Sequence, residues 1–356
     1  MTRYNTNADM AAMGTGIAAR PRLALADMMV GVAMTLVALG HASFGFEPEW
    51  YARGLHEWIY AFHMPLFMFL SGLLMRHSYR GTRDARGYLR YVGRRLAKFA
   101  PPFLLVGAAA GLAAAWPQGG WEAQGGARAA LLAMSRALAQ QLQWPMQGPA
   151  SFLWYIYVLM GFYLTAPAIF ALSSRAKGAL WLVAAAAALL PGVTHRFALA
   201  LFCKYAPFWL LGALCAEGLG WLRRLGFWTA ALATLPFALW TLLFALGWRG
   251  APPLATGMAA LPAAALLGMG MLRVPAARRA MEALSRGVWW AYLLHLPVAW
   301  ACAMGWRAAG APGRLPFAIF LPACATLSLV LPLAARALAR RLARHRRTQK
   351  SGGIAQ

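Results

Sequence analysis

Two histidines stand inside hydrophobic runs near the N-terminus. His41 closes ADMMVGVAMTLVALGHAS, and His63 lies in IYAFHMPLFMFLSGLLM, ahead of Pro65, Ser71 and Gly72. An ionisable side chain in a membrane-length apolar run is costly, so each is a functional candidate. Imidazole titrates near neutral pH and can accept the proton of an attacking hydroxyl. If that hydroxyl attacks a carbonyl carbon, the carbonyl oxygen gains charge and needs donors already in place, a role open to His63, Ser71, Lys204 or His295. His295 sits in WWAYLLHLPV, Trp154 opens WYIYVLM, and Lys204 opens KYAPFWLLGALCA. Each also has a structural reading: a membrane histidine can bond a neighbouring helix, Pro65 can mark a kink, and Ser71-Gly72 can mark close helix packing.

These residues must be positioned by membrane-spanning helices. The chain has 356 residues, 61% hydrophobic and 12% charged, with a mean hydropathy of +0.54, about half the charge of a soluble domain, which carries ~25%. Ten runs approach the ~20 apolar residues that a spanning helix needs: 24–43, 58–75, 96–115, 151–171, 178–193, 197–217, 226–247, 252–272, 286–305 and 315–335, of which 178–193 is the shortest. They are too long for strands, rich in Ala and Leu, and lack a barrel's alternation, so the expected fold is an all-α polytopic membrane protein with about ten transmembrane helices. The expected division is a tail over 1–22, one transmembrane domain over 23–337 and a basic tail over 338–356. Residues 1–20 and 345–356 are expected to be disordered, and 126–143, inside the long segment 116–150, to form a helix on the outer surface, a candidate lid or acceptor-binding element.

The net charge of +25 and pI of 11.4 would suit a nucleic-acid binder, but the distribution argues otherwise. With alternating loops and the N-terminus inside, most of the 34 Lys and Arg fall on one side, with Arg76, Arg94, Arg95 and Lys98 in the dense run 76–98 and another basic cluster in the C-terminal tail. This is the positive-inside asymmetry of a multi-pass membrane protein, with both termini expected in the cytoplasm and anionic lipid as the ordinary partner of the arginines; the expected location is the cell (inner) membrane. That topology puts His41, His63, Trp154, Lys204 and His295 at similar depth on five helices. His56, His77, His195 and His345 are expected at edges or in loops, solvated. The four cysteines form no CxxC pair and have no clustered histidines at zinc spacing, so they read as packing residues and no metal is expected. No G-x-S-x-G or HExxH occurs.

The wording D-x13-GHAS followed by FHMPLFMFLSG resembles the acyltransferase 3 family of integral membrane enzymes. YLRYVGRRLAKFAPP, LWYIYVLM, KYAPFWLLGALCA and AYLLHLPV resemble further segments of that family, in its order. The resemblance implies transfer of an acyl group from coenzyme A to a hydroxyl, usually on a sugar, and the N-terminal part looks most like the branch that moves acetyl or succinyl groups to sugars or envelope glycans. It implies no bound cofactor, acyl-CoA (acetyl-CoA foremost) as donor substrate, and a glycan or glycolipid as acceptor. His41 would be the essential base, with His63 beside it in catalysis. Asp27, Ser71, Trp154, Lys204 and His295 would bind substrate, and Arg76, Arg94, Arg95 and Arg286 the donor phosphates. One departure stands out: family members usually carry Arg or Lys eleven residues before the histidine, and here that residue is Val30. Eleven residues is three helical turns, so the absent cation would have shared the face of His41; Asp27, fourteen residues before, lies on nearly that face. Arg22, an inner-loop arginine or Arg286 are the candidates to compensate.

Two other functions remain open on the sequence. A transporter or flippase of a lipid-linked glycan would also line its path with polar intramembrane residues. A non-catalytic member of the family would explain Val30. Glu47, Glu49, Glu57, Trp50 and Trp121, on the outer side, suit either sugar contacts or interface anchoring.

Overall fold

The computed structural model describes residues 23–43, 50–82, 84–116, 125–173, 176–190, 192–217, 226–310 and 314–352; the side chains of 50–52, 173, 217, 314–317 and 343–352 lie outside the description. Arg22, Glu47, Glu49, Trp121 and the side chain of Trp50 therefore fall outside the described residues, as does the stretch 1–20. The helices are α1 (Ala24–Ser43), α2 (Trp50–Tyr60), α3 (His63–Ser78), α4 (Ala85–Ala114), α5 (Gly126–Gln143), α6 (Trp154–Ser173), α7 (Lys177–Ala188), α8 (Leu199–Glu217), α9 (Phe227–Ala233), α10 (Leu235–Ala245), α11 (Pro253–Arg273), α12 (Pro275–Ala308) and α13 (Arg314–Gly352). No strand occurs among the described residues. Nine helical segments among them are long and apolar enough to cross a bilayer, taking α2–α3 and α9–α10 as one crossing each. The protein is an all-α, multi-pass membrane protein.

The tenth expected span is shorter than the run 178–193 suggests. Only Lys177–Ala188 is helical, ~18 Å of rise against a ~30 Å hydrocarbon layer. The connection still changes ends of the bundle. α6 finishes beside the end of α3, where Phe170 packs 5.0 Å from Tyr79. α8 is entered at the opposite end, where Arg196 stands 5.8 Å from the ring of Trp144, just after α5. Leu189, Leu190, Gly192, Val193 and His195, beyond the helix, line a cavity there, the setting in which irregular backbone is tolerated at membrane depth.

Three other expectations are revised. The second span breaks at Ala61–Phe62, and Pro65 sits in the first turn of α3 rather than at a mid-helix kink. Having no N–H, it leaves the Ala61 carbonyl without a helical donor, which accounts for the break just upstream. The run 226–247 divides at Thr234, with Pro236 in the first turn of the second piece. The final helix runs on through Gly352, so 345–352 is helical; its Ala, Leu and Arg content favours helix well past the last apolar turn. Helix α5 forms as expected and lies antiparallel along the end of α4, where Gly111 meets Ala137 and Gly107 meets Gln141.

Lipid tails are as apolar as Leu, so close van der Waals packing holds such helices together, and small residues permit it. A Cβ on Gly72 of α3 would overlap the backbone carbonyl of Trp209 in α8, and one on Gly212 of α8 would overlap the carbonyl of Phe69. The two backbones thus meet face to face. Trp209, 1% exposed, stacks on Phe162 at 4.7 Å and Phe170 at 5.6 Å, tying α6 to the same seam. Helix α1 is the central element, packed by α2, α3, α11, α12 and α13. Gly72→Ala forces these backbones apart and should cost about 1–3 kcal/mol. The expected outcome is a lower melting temperature in detergent, with Gly93→Ala, which meets nothing within 4 Å, unchanged.

Candidate active site

At the C-terminal end of α1, imidazoles and phenols converge from three directions. The ring of His41 lies 4.9 Å from that of His295 in α12 and 5.9 Å from that of Tyr60 in α2. The Tyr60 hydroxyl is 3.2 Å from His41 Nδ1 and 3.4 Å from Nε2. Behind Tyr60, His56 stacks at 3.8 Å and His63 packs edge-on at 4.6 Å. Close approach is again permitted by a glycine: a Cβ on Gly40 would press on the Tyr60 ring.

Backbone carbonyls orient two of the imidazoles. His63 Nδ1 donates to the Ile59 carbonyl at 2.9 Å, and His295 Nδ1 donates to the Tyr292 carbonyl at 2.6 Å. A carbonyl can only accept, so both neutral rings carry the proton on Nδ1 and keep a lone pair on Nε2. Among the described residues His295 Nε2 has no hydrogen-bond partner. It is a buried acceptor beside His41. His63 and His295 are 2% and 1% exposed, whereas His41 is half-buried and opens onto a cavity of about 450 Å³. Tyr60, Phe152, Trp154, Met146 and Trp300 are among its other walls. Met146 belongs to the segment after α5, so the long connection does reach this cavity.

A second cavity, of about 420 Å³, opens at the arginine-rich end of the bundle. Arg95 and Lys98 of α4 stand among its lining, with Asp27, Val30, Ser71, Tyr155, Ser285 and Tyr292. Ser285 Oγ donates to Asp27 at 2.6 Å, and Ser71 and Tyr155 share a hydrogen bond of 2.6 Å. Lys98 and Ala97 precede Pro101 and Pro102 by one turn, so their carbonyls lose helical donors at this wall. The two cavities are separated by rings: Tyr155 to Tyr292 at 5.3 Å, Tyr292 to His295 at 5.7 Å, and His295 to His41. The Tyr292 hydroxyl donates to the Phe152 carbonyl at 2.6 Å, pinning the divide to a residue that lines the histidine cavity.

The structure brings together His41, His63, His295 and Trp154 at one end, and Asp27, Ser71 and Arg95 around the other cavity. Lys204 does not face the cavity that holds His41. It lines a neighbouring one of about 460 Å³, which Tyr60 also lines, and its ring neighbour Tyr205 stacks on Trp154 at 5.4 Å. Arg76 stands over the Phe170 ring at 5.0 Å, and Arg94 is exposed; neither lines the Arg95 cavity. Arg286 lines a separate basic pocket. Val30 faces the cavity that Arg95 and Lys98 line. Glu57 pairs with Arg249 at 3.3 Å on the surface. Of the histidines expected to be solvated, His195 is exposed and the side chain of His345 lies outside the description. His56 and His77 depart from the expectation: His56 is held under Tyr60, and His77 faces the Arg95 cavity because α3 continues to Ser78. The sequence reading passed over Tyr60, Tyr155 and Tyr292. The signal was present, since Tyr60 and Tyr292 each precede a membrane histidine by three residues, a spacing that puts side chains on one helical face.

The family profile described as an acyltransferase domain, that of acyltransferase family 3, matches residues 26–337. The chain belongs to this family and is a membrane acyltransferase. No curated protein and no solved structure matches it. The difference in access among the histidines is directly measurable. In the chain otherwise stripped of cysteine, a thiol at His41→Cys should react with an aqueous maleimide, and one at His63→Cys should stay unlabelled until the protein is unfolded.

Proposed function

We propose that the protein is a membrane O-acyltransferase that takes an acetyl or succinyl group from acyl-CoA and passes it to a hydroxyl of a sugar, cell-envelope glycan or glycolipid. In this reading it sits in the cell's inner membrane, with the arginine-rich end and both termini in the cytoplasm. Residues 23–337 form the catalytic domain, flanked by two tails. The observation that carries the reading is the pair of cavities on one buried helix, one walled by Arg95 and Lys98 and the other by His41, with the contacting rings of Tyr155, Tyr292 and His295 between them.

In the proposed mechanism the donor enters the Arg95 cavity with its thioester towards Ser71, Tyr155 and Tyr292, and the acceptor hydroxyl enters the cavity of His41. His41 takes the hydroxyl proton as the oxygen attacks the thioester carbon. The carbonyl oxygen becomes an oxyanion and is met by hydroxyl donors. As the C–S bond breaks, the thiolate leaves and takes the proton from His41, which releases the free thiol and restores the base. Tyr60 holds the His41 ring through its hydroxyl, acting as a positioning residue. Arg95 and Lys98 provide positive charge where the family usually has a cation at the position of Val30, which supports a catalytic over a degenerate reading.

The test is mass spectrometry of envelope glycans and glycolipids from cells with the intact protein, with none, and with His41→Ala. An acyl mass shift seen only with the intact protein is expected, because loss of a general base lowers transfer about 10²- to 10⁴-fold. An equal shift with His41→Ala in the membrane would remove His41 from the mechanism. Tyr60→Phe keeps the ring and should lower transfer about tenfold, the worth of one hydrogen bond, mainly in kcat.

A further inference from the structure

Three helices outrun the bilayer at the arginine-rich end. Helices α4, α12 and α13 contain 30, 34 and 39 residues, ~45–58 Å of rise against ~30 Å of hydrocarbon. Where the extensions meet they border an open pocket of about 360 Å³ lined by Lys98, Arg286, Trp289, Trp290, Arg336 and Arg340. Four cations thus come from three helices. Glu282 is an acidic neighbour: it binds Arg278 at 2.8 Å and Arg286 at 3.8 Å, so the pocket keeps an excess of positive charge. The convergence is built in. Gly287 has no side chain, which lets Leu333 and the Arg336 guanidinium lie against α12. Like charges held this close repel, and a multivalent anion relieves them.

Lys98 and Trp289 also line the Arg95 cavity, so the two spaces adjoin. Resting on the acyltransferase reading above, we propose that this pocket binds the phosphorylated nucleotide end of the donor thioester. The 3′-phosphate and diphosphate lie on Arg336, Arg340, Arg286 and Lys98, and the base lies against Trp289 or Trp290. The narrow arm of the same molecule then runs past Phe99 and Val288 towards Ser71 and Tyr155. The C-terminal helix becomes part of the substrate site, and Arg340 lies beyond the family-matched segment 26–337. An anionic lipid headgroup offers the same phosphate chemistry, but a lipid has no polar arm to send into a cavity walled by Asp27, Ser71 and Tyr155.

The experiment is calorimetric titration of coenzyme A and of its analogue lacking the 3′-phosphate. The protein is reconstituted in nanodiscs of zwitterionic lipid, as the intact chain, as Arg336→Gln/Arg340→Gln and as Arg340→Gln alone. Arg340 is exposed, so the single variant keeps the fold if the double does not. Each lost charged hydrogen bond weakens binding about 10- to 100-fold. The expected result is that loss for coenzyme A, with the preference for the 3′-phosphate reduced or abolished. Unchanged coenzyme A affinity in the variants overturns the pocket assignment and leaves the acyltransferase reading standing. Failure of the intact chain to bind coenzyme A overturns both. Native mass spectrometry from anionic membranes closes the lipid arm: variants that lose a retained anionic phospholipid but keep coenzyme A affinity make the pocket a headgroup site and overturn the proposal.

Discussion

Helix α1 is the strut on which both cavities depend. It is packed on all sides by other helices and carries Asp27 at one cavity and His41 at the other. Fourteen residues of α-helix rise ~21 Å, and they bring the two side chains back to nearly the same face. Neither separation nor direction can relax without unwinding backbone that has no water to bond. The spacing between the Asp27 carboxylate and the His41 imidazole is therefore a property of helical geometry, and the surrounding helices need only keep α1 buried and aligned.

That burial makes each polar group a problem to be solved locally. His63 and His295 solve it the same way, by giving Nδ1–H to a carbonyl three or four residues earlier. The price is a fixed tautomer, and the gain is a lone pair of known position. Tyrosines do the remaining work: Tyr60 reaches His41, Tyr155 reaches Ser71, and Tyr292 reaches a backbone carbonyl. Each presents an apolar body to the bundle and one hydroxyl to a partner, which lets a layer of rings between the cavities be both apolar and hydrogen-bonded.

Glycine sets how near these walls come. At Gly72 and Gly212 it allows two backbones to touch, at Gly40 it admits Tyr60 to His41, and at Gly287 it lays Arg336 on α12. The same residue type thus supports the core seam, the histidine cluster and the basic pocket. Where no such contact exists, as at Gly93, nothing in the packing demands it. The sequence pattern alone does not separate these cases, because a helical glycine reads alike whether its missing side chain is needed or not.

Apolar run length and charge asymmetry were enough to establish the class of fold, most of its spans and the two ends of the bundle, because the bilayer imposes one length scale and one backbone solution on every crossing. The ordered motifs around His41, His63, Trp154, Lys204 and His295 were enough to indicate the family. Tertiary structure decided the rest. It split the second span ahead of Pro65 and shortened the crossing at Lys177–Ala188. It also turned Lys204 into a separate cavity and stood Arg76 over a ring while Arg95 and Lys98 lined the cavity that Asp27 and Ser71 share. Periodicity states which residues share a face of one helix; which face meets which neighbour depends on side-chain volumes and glycine contacts between segments hundreds of residues apart, and these exist only once the helices are assembled.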